Sequence, residues 1–305
     1  MAIPTDYIFT PGTCLKKDFY GVLCAALIGA GWTNVTSNST TDGDVFVSTG
    51  NTGDKSLIIN LNKNQASPST DVTTTIFSTM TCRFPISYTP GAAGVAGTFV
   101  RPGTLIHLSL APIHHSRGMS LDTLCYYKLY VDKNKVMFSI EYPPAASDTT
   151  GVNWVGAPIF NFVGLPDTLY TSEPGNRGMV MCSTFANTSA GTQGGAVNAL
   201  LVANNPSNIG NSADVYAMPL VYTNIPTNPN NSGVYALTEL EYGSTVEGVR
   251  GKLDGVYMLP SANVRTGMQF NVESGEGTHT YYVINANGAG YSAGIPSKVV
   301  AIRIT

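Results

Sequence analysis

Charge is what this sequence has least of. Asp, Glu, Lys and Arg make up 11% of its 305 residues, against roughly 25% in an ordinary globular protein. The 16 basic and 19 acidic side chains leave a formal charge of −3 and no basic stripe to neutralise phosphates. Nucleic acid is not an expected partner. Long apolar runs are missing too: none approaches the roughly 18 residues of a membrane span, so no membrane contact is expected. Cysteine is sparse, and Cys14, Cys24, Cys82, Cys125 and Cys182 show neither C-x-x-C nor paired metal-ligand spacing. Their plain reading is buried free thiols in a reducing compartment. G-x-S-x-G, H-E-x-x-H and Cys/His constellations are absent. No catalytic residue, cofactor or metal is expected.

What the chain does have is Ser, Thr, Asn, Gly and 16 tyrosines, with 43% hydrophobic residues. Disorder would need low hydrophobicity together with high charge, so a folded chain with a real core is expected. The stretch "KKDFYGVLCAALIGAG" (16–31) imitates a signal peptide, but Asp18 interrupts its basic flank. Leu15, Phe19, Val22, Leu23, Ala26 and Leu27 recur at three- and four-residue spacing, which predicts an amphipathic helix stopped by Gly29 and Gly31.

Beyond that helix the pattern is β. Val45 and Val47, then Leu57, Ile59 and Leu61, alternate on either side of the turn-rich "STGNTGDK", predicting a hairpin. "LIHLSLAPI" (105–113), "YYKLYVD" (126–132) and "KVMFSIEY" (135–142) alternate strongly, the last two forming a second hairpin. "YTPGAAGVAGT" (88–98) reads as a loop or arm, and residues 187–231 read as loops. "GVYML", "MQFNV", "TYYVINAN" and "KVVAIRIT" are four successive strands near the C-terminus. The expected fold is mainly β with a short N-terminal helix and antiparallel sheets in sandwich- or barrel-like domains. Three segments are expected: a helix and hairpin over 1–80, a β-rich centre with long loops over 81–245, and a small β module over 246–305.

Several clusters invite chemistry and have simpler readings. Adjacent His114 and His115 point to opposite faces of a strand and so do not readily share one ion. Asp42 and Asp44 lack the rest of a calcium loop and suit a turn before a strand. "STGNTG" joins strand to strand, whereas a phosphate loop opens a helix. Glu239, Glu241 and Glu247 could hold a glycosidase pair, yet solvated carboxylates explain them as well. The aromatic residues Trp154, Phe160, Phe162 and Tyr170 are the candidate interaction surface, able to stack on sugar rings or to pack against a core or subunit.

In "VRGKLDGVYMLP", Gly251, Leu253, Asp254, Gly255, Val256 and Tyr257 form a G-x-L-D-G-V-Y strand. A short strand "GMQFNV" follows, then "THTYYVINAN" with Tyr282, Ile284 and Asn287, then "VVAIRIT" with Ala301, Ile302 and Arg303. This order resembles the C-terminal module of a family of tailed-bacteriophage virion structural proteins. "GWT…GDVFVSTGNTGDKSLIINL" looks like that family's N-terminal hairpin, and "YYKLYVDKNKVMFSIEYPP…GVNWVGAPIFNFVGLPDTLYTSEPGN" is similar to its central segment. Residues 88–98 and 187–231 have no counterpart in the family pattern.

The resemblance implies a non-enzymatic structural subunit of a phage or phage-like particle, in the tail, baseplate or tip. It would be assembled in the bacterial host cytoplasm from copies of itself and other virion proteins. The alternatives are a head or neck protein, collar or decoration, and a receptor- or carbohydrate-binding module for a host-surface glycan. A wall-degrading hydrolase acting through Glu239 and Glu247 is a third, enzymatic reading.

Overall fold

The computed structural model describes residues 7–36, 43–63, 73–74, 79–100, 106–110, 120–143, 158–169, 179–182, 201–204, 215–217, 237–244, 248–259, 264–275, 277–285 and 299–305. Strands dominate, all sheets are antiparallel, and none closes into a barrel. The one α-helix of these residues is α1 (Phe19–Gly29), entered through a 3-10 turn (Lys16–Asp18). It ends where the sequence predicts: the Ala30 amide donates to the Ala26 carbonyl, and Gly31 takes a left-handed φ of 95°.

A five-stranded sheet lies beside the helix, in the order β2 (Thr33–Asn34), β3 (Asp44–Ser48), β4 (Leu57–Asn62), β5 (Thr79–Arg83), β8 (Ile106–Ser109). Between the last two, β6 (Ser87–Thr89) and β7 (Thr98–Val100) pair with each other and, among the described residues, with no other strand.

The largest sheet begins with β1 (Thr10–Leu15), β9 (Leu124–Val131), β10 (Lys135–Glu141) and β11 (Ile159–Gly164). It continues through three short strands, β13 (Met179–Cys182), β14 (Leu201–Asn204) and β15 (Val215–Ala217). The last two lie where the sequence reads as loop. β16 (Thr238–Ser244), β17 (Gly248–Met258), β20 (Val299–Arg303), β19 (Gly277–Asn285) and β18 (Gln269–Ser274) complete the path, while β12 (Thr168–Leu169) adds to β17. Strands from all three expected segments thus share one sheet.

The sheet folds over on itself, and the strand periodicity shows how. On β10, Val136, Phe138 and Ile140 enter one core with α1 and the five-stranded sheet, while Met137 enters a second. β11 divides the same way, Val163 to the first core and Phe160 and Phe162 to the second. The far wall of the second core comes from Leu240 and Tyr242, Leu253 and Val256, Tyr282 and Ile284, and Val300 and Ile302. Opposite faces of those strands send Tyr257, Tyr281, Val283, Val299 and Ala301 into a third core. The middle layer is therefore buried on both faces. The fold-over is also tied directly: the Phe9 amide donates to the Arg303 carbonyl at 2.9 Å.

Candidate functional site

The turn between β9 and β10 organises the molecule. Asp132 Oδ1 accepts the Asn134 amide at 2.7 Å and the Lys135 amide at 2.9 Å, the local bonding that makes Asp a turn former. Its own amide closes the turn on the Lys135 carbonyl at 3.0 Å. Other elements then read the exposed backbone of this turn. Trp32 Nε1 donates to the Asp132 carbonyl at 2.7 Å and Ser48 Oγ to the Lys133 carbonyl at 2.6 Å. From the β3–β4 turn, the Asn51 amide donates to Asn134 Oδ1 at 2.9 Å, and Asn51 Oδ1 accepts the Lys133 amide at 3.1 Å. "STGNTG" is thus a clamp on a neighbouring hairpin. On the far side, the Leu165 amide donates to the Asn134 carbonyl at 2.8 Å.

A buried charge sits under the turn. The Lys135 side chain is fully buried, paired to Asp167 and 3.8 Å from Asp132 Oδ2, with its ammonium 4.6 Å from the centre of the Tyr7 ring. Asn134 Nδ2 and the Tyr7 hydroxyl also donate to Asp167. Partial burial works against the Asp167 carboxylate, but the Lys135 charge and these hydrogen bonds outweigh it and hold its pKa below the usual carboxylate value. Burial, then Asp167, pushes the Tyr7 phenol up. Tyr7 in turn packs on Gly255, whose φ of +80° and lack of a side chain make room for the ring. Asp254 accepts the Thr168 amide at 2.9 Å and the Thr168 hydroxyl at 2.7 Å, fixing β12 against β17. The "KLDGVY" motif is the C-terminal anchor of this junction. A second tie lies alongside: Glu141 accepts from Lys128 at 2.8 Å and from the Tyr282 hydroxyl, with the Lys128 ammonium 3.5 Å from the Tyr282 ring centre.

These donors and acceptors are spent on one another, so the junction fixes geometry. Tyr7, Lys135 and Asp167 were not singled out by the sequence, and Asn134 only as a turn residue. Lys135 opening the apolar run "KVMFSIEY" is the local signal that could have found it; Tyr7 and Asp167 have none.

Of the four aromatics named as a candidate interaction surface, the two that are described take the core-packing reading. Phe160 and Phe162 are fully buried in the second core, Phe160 with its ring 6.4 Å from that of Phe9, so neither ring faces a ligand. They belong to a strand buried on both faces, where aromatics fill space between layers. Trp154 and Tyr170 lie outside the described residues, as do His114, His115, Asp42 and Glu247. Asp44 accepts the Tyr20 hydroxyl at 2.7 Å and Asn34 Nδ2 at 3.1 Å. Glu239 pairs with Lys252 at 2.7 Å.

Exposed large apolar residues include Ile8, Ile28 and Met268, set apart along the chain, and a group of three on one hairpin. Ile86, Val95 and Val100 are exposed on the β6–β7 hairpin, where the Ile86 amide donates to the Val100 carbonyl at 3.0 Å. The rings of the register partners Tyr88 and Phe99 meet at a tilt with centres 4.6 Å apart, and the Arg83 guanidinium lies 4.1 Å over Phe99, steadying the base of the arm. Among the described residues, β1 and β18 end the large sheet with a neighbour on one side only, and Leu124 and Tyr126 are exposed beside β1. No protein-family model matches this chain, and the search of curated proteins finds no match.

Proposed function

We propose that this chain is a non-enzymatic structural subunit of a tailed bacteriophage or phage-like particle, placed in the tail, baseplate or tip. It assembles in the bacterial cytoplasm with copies of itself and other virion proteins, through β edges and apolar loops. The observation that carries the reading is the β6–β7 arm: a hairpin outside both larger sheets, with exposed Ile86, Val95 and Val100. Apolar residues grouped on an outlying hairpin suit burial against a neighbour, and one-sided edges offer further pairing. Low charge adds support, since such contacts rest on shape and backbone hydrogen bonds more than on electrostatic steering. The motif order in "KLDGVYMLP" and the strands after it supports the particle class.

The test is mass spectrometry of purified particles from the host that encodes the chain. Its peptides are expected at a stoichiometry of several copies per particle. Particles that are complete and infective without it would end the proposal. The glycan-binding alternative is weakened by the burial of Phe160 and Phe162.

A further inference from the structure

Two of the five cysteines face each other at the edge of the large sheet. Cys14 on β1 and Cys125 on β9 are direct register partners, with their sulfurs 3.5 Å apart. The Lys16 amide donates to the Thr123 carbonyl at 2.8 Å, so Lys16 and Thr123 form a hydrogen-bonded pair; two residues along each strand, Cys14 and Cys125 fall in the same class. Such pairs hold their Cα atoms about 5.5 Å apart, inside the roughly 4.4–6.8 Å that a disulfide spans. The sulfurs must close from 3.5 Å to about 2.05 Å to bond. Cys14 is half-buried and Cys125 buried, so one thiol can be reached and the other waits behind it.

We propose that Cys14 and Cys125 form a thiol–disulfide exchange site that takes a low-molecular-weight disulfide such as oxidised glutathione and ends as a cross-strand Cys14–Cys125 disulfide. The Cys14 thiolate attacks one sulfur of the reagent; the reagent's S–S bond breaks, a mixed disulfide forms and one glutathione thiolate leaves. Cys125, its proton passing to solvent, then attacks Cys14 Sγ and expels the second glutathione. Two protein thiols lose two electrons, and one reagent disulfide becomes two thiols. The hydrogen bond from Cys125 draws the Cys14 pKa below its ordinary value, whereas burial pushes Cys24 up to about 12 and raises Cys82 as well. The attacking group is thereby singled out among the described thiols.

The bond would fasten the edge strand β1 and close a covalent loop around α1 and the whole five-stranded sheet. A loop of that length strongly restricts the unfolded chain. It needs no particle and no partner, so it stands or falls apart from the proposed function.

The full-length reduced chain is incubated with oxidised glutathione and mapped by peptide mass spectrometry under non-reducing conditions. A peptide joining Cys14 to Cys125, with a thermal midpoint that rises and falls back on adding dithiothreitol, is the expected result. Cys125→Ser should trap glutathione on Cys14, and Cys14→Ser should give neither adduct nor cross-link. Glutathione persisting on Cys14 of the unsubstituted chain, or oxidation that leaves the pair reduced while Cys24 or Cys82 reacts, would overturn the assignment.

Discussion

The β9–β10 hairpin and the β6–β7 hairpin are built from the same local rules and do opposite things. The first is buried on both sides of β10, and its turn is held by Trp32, Ser48, Asn51 and Leu165 from three other parts of the chain. The second, among the described residues, pairs only with itself and leaves Ile86, Val95 and Val100 in solvent. Burial on every side makes a hairpin a scaffold. Exposure of apolar residues on a pair that no other strand joins makes it a surface awaiting a partner.

The sharpest way to break this contrast is to hollow the scaffold. Phe138→Ala removes a fully buried ring that packs 5.3 Å from Phe19, and should cost about 3–5 kcal/mol by denaturant unfolding. Glycines give a paired comparison. Gly164 has a φ of 135° and its Cβ would collide with the Asn134 carbonyl and the Lys135 backbone, so Gly164→Ala should cost about 3 kcal/mol. Gly94, at a φ of 79° in the arm with open space around it, should cost about 1 kcal/mol when changed to Ala. Equal losses at the two glycines would erase the distinction between scaffold and arm.

Asp167→Asn probes the junction between these extremes. Its carboxylate is 29% exposed and Asp132 still faces Lys135, so the loss should be about 2 kcal/mol, below the roughly 3–5 kcal/mol of a fully buried pair. The pKa of Asp167 is lowered in the folded chain. Its contribution is therefore fully present above the unfolded carboxyl value of about 3.9 and disappears as pH falls through the folded value. Unfolding of the two proteins across pH should show a constant gap above about pH 5 that closes toward acid. A gap that widened toward acid would contradict the pairing.

Local periodicity made much of the scaffold legible in the sequence. α1, the β3–β4 and β9–β10 hairpins and β17 to β20 all follow from three- and four-residue or two-residue spacing. β14 and β15 escaped because they are four and three residues long in an Asn-rich region, too short for alternation to register. For Phe160 and Phe162 the sequence left stacking surface and core packing both open, because a strand between two cores carries apolar residues on both faces and its pattern no longer tells inside from outside. The junction was illegible for another reason. Asp254 and Thr168 are 86 residues apart, and Tyr7 and Asp167 are 160 apart; only register across the folded sheet brings them together. The motif in "KLDGVYMLP" marks Asp254, but nothing local shows that its carboxylate holds β12.

Substitutions in the arm should have the smallest effect on folding and the largest on assembly. Val95→Asp with Val100→Asp alters residues 57% and 48% exposed, so stability should change by no more than about 0.5 kcal/mol. Sedimentation velocity of the full chain, with and without these two changes, tests the central claim most directly. The unsubstituted protein is expected to associate with rising concentration, and the variant to stay monomeric with the same unfolding midpoint. A chain that remains monomeric throughout, or a variant that associates as well as its parent, would contradict the account.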